Sequence, residues 1–169
     1  TPESNPSPTP TLSALTVHFI DVGQGDSILI DLGDVEILID GGDRSPGVAN
    51  YISAYIDGAL EVMVATHPHA DHIGGLIAVL DKFEVKEIWL NGDTSTSKTL
   101  SDFMNLVNAE NATVHGAERG KSIQVGVLTF VIVQPTKPLG TDINNNSIVL
   151  SLSYGEIDFL FMGDAERQA

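Results

Sequence analysis

One ten-residue stretch, THPHADHIGG at positions 66–75, constrains this chain more than any other. Three of the five histidines lie between positions 67 and 72, and an aspartate immediately precedes the last of them. An apolar run at 62–65 leads into the stretch, and the apolar spacing after it predicts a helix over 71–83. The stretch is therefore a strand, a short polar turn and a helix, with the metal-competent side chains crowded into the turn.

The spacing of these side chains favours a pair of cations. Pro68 biases His67 toward an extended backbone, in which residues two apart point the same way, so His67 and His69 can share one cation. Asp71 and His72 are adjacent and diverge, which suits a second cation beside the first. Two ions roughly 3.5–4 Å apart can hold and ionise a bridging water and clamp a scissile ester. The alternative is surface histidines in a loop, with Asp71 capping the helix.

Composition narrows the class of protein. The 169 residues, 42% of them hydrophobic, predict one domain with a real core, or a piece of a larger one. The net charge of -15 disfavours a basic surface for nucleic acid, although bound metals would reverse the sign locally and keep a phosphate substrate open. The absence of cysteine excludes thiolate metal sites and disulfides.

The two ends of the predicted domain differ in character. Residues 1–13 are rich in Pro, Ser and Thr and predict a disordered tether, followed by a folded domain over 14–169. Such a tether follows a removed signal or lipid anchor, joins two domains or is an expression remnant. We expect a location outside the cytoplasm or at the cell surface, with the cytoplasm left open, and no membrane insertion, since no apolar run approaches about 18 residues.

The remainder of the chain predicts an α/β first part and a β second part. Three strands form a meander, a helix opens at Pro46 and runs to position 57, and strands and helices then alternate to about position 115. Trp89 is expected in the core, His18 half-buried in a strand, and His115 is a minor candidate ligand. The predicted strands are 15–21, 27–31, 35–40, 62–66, 87–90, 113–115, 122–125, 127–134, 147–154 and 157–162, with a further helix over 99–108.

Two further carboxylates end strongly apolar strands. Asp40 closes ILIDGG at 37–42 and Asp164 closes FLFMGD at 159–164. An acid at the carboxyl end of a strand is a common place for site chemistry and an equally common helix cap. Asp164 offers a carboxylate that could bridge two cations. The asparagine-rich loop TDINNNS at 141–147 is explained by turn chemistry alone.

Five motifs together resemble the metallo-β-lactamase superfamily, most closely the branch with the hydrolase domain of ComEC-type DNA-uptake proteins and related secreted phosphodiesterases. They are HFIDVGQGDSILI (18–30), ILIDGG (37–42), THPHADHIGG (66–75), NNNSIVLSLSYG (144–155) and FLFMGDAE (159–166). The resemblance implies an αββα sandwich with a dinuclear site. It assigns His67 and His69 to one metal, Asp71 and His72 to the other, Asp164 as the bridge and Asp40 as a buried supporting group. The motif at 21–26 would lie beside the site.

The resemblance also implies a function. We expect a metal-dependent hydrolase of phosphodiesters or phosphate esters, small or polymeric, with a hydroxide held by two divalent ions as the attacking group. Zinc is expected first, with manganese or iron open, and Asp71 and Asp40 are the candidate catalytic carboxylates. Thioester or lactam hydrolysis, and a non-catalytic binding module, are the alternatives. DNA is an expected partner only in a longer parent protein.

The chain departs from the family at two places. Asn144 to Asn146 stand where many members have a further histidine ligand, and the family's final histidine would lie beyond Ala169. We therefore expect an incomplete C-terminal half, completed by a longer chain or by self-association.

Overall fold

The computed structural model describes residues 13–45 and 47–166, so nearly all of the predicted tether and Pro46 lie outside the described residues. The described chain forms two sheets and three helices. The strands are β1 (Thr16–Phe19), β2 (Ile28–Asp31), β3 (Glu36–Ile39), β4 (Leu60–Ala65), β5 (Val85–Leu90), β6 (Thr113–Gly116), β7 (Ser122–Val125), β8 (Leu128–Gln134), β9 (Val149–Tyr154) and β10 (Ile157–Phe161). The helices are α1 (Gly47–Ile52), α2 (Ala70–Leu80) and α3 (Lys98–Ala109), with a single 3-10 turn at Asn144–Asn146.

The first sheet has six strands in the order β1-β2-β3-β4-β5-β6. Strands β1 to β3 form the predicted antiparallel meander, and β3 to β6 run parallel. The helices α1, α2 and α3 follow β3, β4 and β5 in the chain and make the crossovers that parallel pairing requires. Because Ile39 pairs with Val64 and Leu90 with Gly116, the carboxyl ends of the parallel strands meet at one edge.

The second sheet is antiparallel throughout, in the order β10-β9-β8-β7. Its hairpins turn at glycines in the left-handed region, Gly126 with φ 54° and Gly155 with φ 63°, where an L side chain would be strained. Strand β10 lies at the outer edge of this sheet and leads directly to Asp164.

The central strands of the six-stranded sheet are buried on both faces, which explains why β3 and β4 are almost uniformly apolar rather than alternating. One face packs against all three helices and contributes Leu38, Met63 and Ile88 to that core. The other face packs against the second sheet, with Ile37 and Val64 among its contacts. The described residues therefore form three layers, helices on sheet on sheet, in the mixed α/β class that the sequence predicts. The fourth layer that the resemblance implies has no helix among the described residues.

Helix α1 is shorter than predicted, ending at Ile52 rather than at position 57. The hydroxyl of Ser53 donates to the backbone oxygen of Ala49 at 2.6 Å, a local bond that competes with the helical ladder. Within the described residues, no helix is both long and apolar enough to cross a membrane.

Candidate metal centre

Three side chains from two distant parts of the chain converge where the two sheets meet. One donor atom from each of His67, His72 and Asp164 lies within 4.8 Å of the other two, and both histidines are buried. The Nε2 atom of His72 is 3.2 Å from Oδ1 of Asp164, and Nε2 of His67 is 3.8 Å from Oδ2. The six-stranded sheet and α2 supply the imidazoles, and the second sheet supplies the carboxylate.

His69 adjoins this group. Its Nδ1 lies 3.1 Å from Nε2 of His67, so the two side chains that the spacing assigns to one cation do converge. The donor group with Asp164 also brings His72 beside His67, with the ring centroids 4.2 Å apart. How the ligands divide between two cations stays a prediction.

Asp40 supports the centre from behind. The residue is fully buried and holds a left-handed backbone with φ 55°, an uncommon conformation for a side chain other than glycine. Its carboxylate accepts from the Thr66 amide at 2.8 Å, from the Thr66 hydroxyl at 2.6 Å and from Nδ1 of His72 at 2.8 Å. The carboxylate is 0% exposed and its partners are Thr66 and His72, so the structure gives it contacts that orient these two residues.

The hydrogen bonds fix which imidazole nitrogens are free. Nδ1 of His72 donates to Asp40, so Nε2 of His72 carries the lone pair toward Asp164. The Thr66 hydroxyl gives its proton to Asp40 and therefore accepts from Nδ1 of His67 at 3.0 Å, which leaves Nε2 of His67 unprotonated as well. Two nitrogen lone pairs and a carboxylate facing one small space fit a divalent cation, and the backing of a ligand histidine by a carboxylate is a usual feature of metal sites.

The electrostatics differ between the two histidines, and they hold His67 neutral. Burial, reinforced by His72 and His69, lowers the pKa of His67 to about 3, so its imidazole is uncharged at neutral pH. Burial alone would lower the pKa of His72, but the hydrogen bond and the charge of Asp40 outweigh it and raise that pKa. For Asp40, burial raises the pKa. The three hydrogen bonds that the carboxylate accepts act in the opposite direction, but burial is the larger effect.

The turn at 21–26, to which the sequence gives no role, contacts Asp71. The carboxamide of Gln24 donates to Oδ2 of Asp71 at 2.8 Å. Burial would raise the pKa of Asp71, but this bond and the neighbouring histidines lower it, so the group is a carboxylate. A Cβ atom at Gly25 would lie 1.6 Å from the backbone oxygen of Asp71, which explains why the turn needs glycine there. Sequence reasoning missed these contacts of Gln24 and Thr66, although both residues lie in motifs that it singled out.

The asparagine-rich loop is a structural turn, as its composition predicts. The amide of Asn146 donates to Asp93 at 2.7 Å and to the backbone of Gly140 at 2.9 Å, and that of Asn145 donates to Asp142 at 2.8 Å. The Asn145 side-chain oxygen accepts from the Glu166 amide at 2.9 Å. The loop thereby holds the segment that follows Asp164.

The two remaining histidines lie apart from the donor group. His115 stacks on Trp89 with the ring centroids 4.4 Å apart, and its Nε2 lies 3.3 Å from the Glu87 carboxylate. His18 is half-buried in β1 as predicted, and its Nδ1 lies 3.1 Å from the Tyr51 hydroxyl.

The sequence of this chain is similar to that of a known bacterial protein. ComE operon protein 3 of Bacillus subtilis (strain 168) is 24% identical over 172 residues, which cover 90% of this chain and 22% of that protein. The chain thus spans about a fifth of the length of this relative.

Solved structures share the fold at lower identity. The metallo-beta-lactamase fold protein YhfI from Bacillus subtilis superposes with a TM-score of 0.58 at 14% identity, covering 90% of this chain and 61% of that one. Metallo-beta-lactamase SMB-1 gives 0.60 at 20% identity, covering 86% and 60%. CmlA, a diiron beta-hydroxylase from Streptomyces venezuelae, gives 0.54 at 18%, covering 92% and 30%.

The family comparison covers almost the whole described chain. The model of the metallo-beta-lactamase superfamily matches residues 20–169, a range that contains the donor group, its supporting aspartate and the Gln24 turn. The chain therefore belongs to the metallo-beta-lactamase superfamily.

Proposed function

We propose that this domain is a metal-dependent hydrolase of phosphodiesters or phosphate esters. The observation that carries the proposal is the convergence of His67, His72 and Asp164 within 4.8 Å, with Asp40 fixing the histidine protons behind them. Membership of the superfamily supports metal-dependent hydrolysis in general, and the ester class is the further step.

The side chains divide the work of holding the site. His67, His69, His72, Asp71 and Asp164 would hold two divalent ions, which when bound supply Lewis-acid chemistry and acidify water. Asp40 keeps the protons of two imidazoles on the nitrogens that face away from Asp164. The imidazoles of His67 and His72 are buried and shielded from water, so these two donors are preorganised.

The choice of a phosphate ester is supported by likeness and by charge. The resemblance of DVGQGDS at 21–27 to the DNA-uptake branch agrees with the relation to ComE operon protein 3. The net charge of -15 opposes a long polyanion, so we place a small phosphate ester before DNA as the substrate of this domain. We propose DNA as a partner only of a longer parent protein. We also propose that this protein is located outside the cytoplasm or at the cell surface.

The metal is proposed as zinc, with manganese and iron as the other candidates. The donors are imidazole nitrogens and carboxylate oxygens, which suit all three ions. Since a diiron hydroxylase shares the fold, the fold by itself does not select the ion.

The test is loss of turnover in a double variant of the proposed ligands. We expect the metal-loaded wild type to hydrolyse bis(4-nitrophenyl) phosphate, and His69→Ala/Asp71→Ala to lose that activity to background. The control, His115→Ala/Asp34→Ala, removes one histidine and one aspartate outside the donor group and should retain the activity. Full activity of the ligand variant would overturn the metal mechanism. Turnover of a thioester or a lactam in place of the phosphodiester would overturn the substrate class.

A further inference from the structure

We propose that a cavity beside His67 is a subsite for an uncharged apolar group, aryl or alkyl, carried by the phosphate ester substrate. The inference rests on the proposed function and names the substrate group that the same site would select.

The cavity lies at the carboxyl edge of the parallel strands. Its volume is about 400 Å³, and it is enclosed by the ends of β4 and β5, the loop at 91–97 and helix α3. His67 and Pro68 form one wall, so the cavity and the donor group share His67. Ligand sites of open α/β sheets lie at this edge, and small-molecule sites usually measure about 300–1,000 Å³.

The floor of the cavity is apolar. Ile73, Leu90, Leu100 and Met104 contribute to it from α2, β5 and α3. The cavity is partly open to solvent, so a ligand can reach its apolar lining. An apolar group placed there would leave water and gain about 25 cal/mol for each Å² that it buries.

Two polar side chains of the wall, Asn91 and Asp93, are already engaged. The Asn91 amide donates to the backbone oxygen of Asn146 at 3.0 Å, and its side-chain oxygen accepts from the Asp93 amide at 2.9 Å. The Asp93 carboxylate accepts from the Asn146 amide at 2.7 Å. These bonds hold the walls of the cavity and occupy the Asn91 carboxamide and one oxygen of the Asp93 carboxylate.

The charges around the cavity suit an uncharged occupant. Among the described residues that line the cavity there is a carboxylate, Asp93, and neither lysine nor arginine. The Lys137 ammonium donates to the backbone oxygen of Asn91 behind the lining, so an uncharged ester substituent would meet no cation that the lining itself supplies. The phosphate would face the donor group and its substituent would enter the cavity past His67.

Two phosphonates test the inference directly when they are compared at a pH above the second pKa of both, where each is a dianion. Phenylphosphonate and methylphosphonate differ only in the apolar group, and calorimetry measures their binding to the metal-loaded chain without requiring turnover. We expect the wild type to bind phenylphosphonate about tenfold more tightly or better, from the area that a phenyl ring buries. Ser101→Trp, which places a ring at the cavity wall, should abolish that preference. Asn108→Trp, an exposed position later on α3 that does not line the cavity, should keep it.

A second measurement guards against a misfolded variant. The circular dichroism spectrum of Ser101→Trp should match that of the wild type, and Met104→Trp offers an independent way to fill the cavity. Equal binding of the two phosphonates by the wild type would overturn the subsite and leave the proposed function standing. Failure of the wild type to bind either phosphonate would overturn the proposed function and the subsite with it.

Discussion

At the scale of single residues, the centre depends on neighbours that orient the donors. Gln24 holds one oxygen of Asp71 at 2.8 Å and leaves the other oxygen available to a cation. A carboxylate without this partner would rotate, and its geometry toward a metal would be lost part of the time.

Replacing Gln24 by methionine should therefore weaken metal binding while keeping the shape of the side chain. Cobalt(II), which such sites hold more weakly than zinc, is a suitable probe. We expect its affinity to fall about 10- to 100-fold, the usual effect of removing a hydrogen-bond partner of a metal ligand. Titration followed by the visible spectrum of cobalt measures this without a substrate. Gln124→Met, the same change at an exposed position in β7, is the control. Equal affinity in the two variants would show that the Gln24 bond positions nothing.

A buried carboxyl at the opposite end of β3 gives a prediction for pH. Glu36 is 1% exposed, and burial together with the neighbouring Glu61 raises its pKa to about 8. The unfolded chain releases this proton near pH 4.5 while the folded chain keeps it to about pH 8. The contribution of Glu36 to stability is thus greatest below pH 4.5, falls as the pH rises and is fully lost above about pH 8.

Glu36→Gln keeps a donor beside Glu61 and removes the titration. We expect the variant to unfold at a temperature close to that of the wild type at pH 4 and several degrees higher at pH 8.5, with metals removed by a chelator. Glu156→Gln, an exposed glutamate in the β9–β10 turn, should show no such growing difference. A difference for Glu36→Gln that is constant across this range would contradict the raised pKa.

Single residues also show which contacts of the site can be predicted from the sequence and which cannot. The extended backbone at Pro68 was enough to predict that His67 and His69 converge, and their nitrogens are 3.1 Å apart. Spacing could not predict that Thr66 relays a hydrogen bond from His67 to Asp40, because this depends on the left-handed turn at Asp40. The pairing of His72 with Asp164 likewise needs the two sheets to be packed.

At the scale of elements, the position of α2 is set by backbone contacts at its first turns. The amide of Gly41 donates to the His72 oxygen at 2.8 Å, and that of Gly75 donates to the Gly42 oxygen at 3.0 Å. A Cβ atom at Gly75 would lie 1.9 Å from the backbone oxygen of Gly41. The paired glycines of ILIDGG and HIGG therefore allow the helix that carries His72 to touch the strand end that carries Asp40.

Alanine at Gly75 should consequently destabilise the fold, although alanine ordinarily favours a helix. We expect a loss of about 3 kcal/mol in the free energy of unfolding, at the upper end for overpacking, because the atom it would meet is backbone. Urea denaturation measures the loss. Gly116→Ala in β6, where an added Cβ meets nothing within 4 Å, is the control and should change stability little. A neutral Gly75→Ala would mean that α2 can shift without disturbing the strand end.

Element types followed from the apolar pattern, whereas the ends of elements and the cavity did not. The period of the pattern predicted the meander, α2 and the β-rich second part, since each has a buried face. At the early end of α1 the Ser53 hydroxyl donates to the Ala49 oxygen, a local bond that the apolar pattern does not indicate. The cavity depends on how the loop at 91–97 packs against α3, and a polar loop carries no periodic signal.

At the scale of the whole molecule, the centre exists only because the two sheets pack face to face. His67 follows a strand of the six-stranded sheet, and Asp164 follows the edge strand of the other. Ion binding should therefore require both packed sheets and not the histidine turn alone.

The most direct measurement is the metal content of the purified 169-residue chain after incubation with zinc and with manganese, determined by elemental analysis. A dinuclear centre predicts about two ions per chain in the wild type, and a clear loss of bound metal in Asp164→Asn, which leaves the histidine turn intact. A chain that retains no metal, or that binds the same amount with and without the Asp164 carboxylate, would contradict a metal centre built between the two sheets.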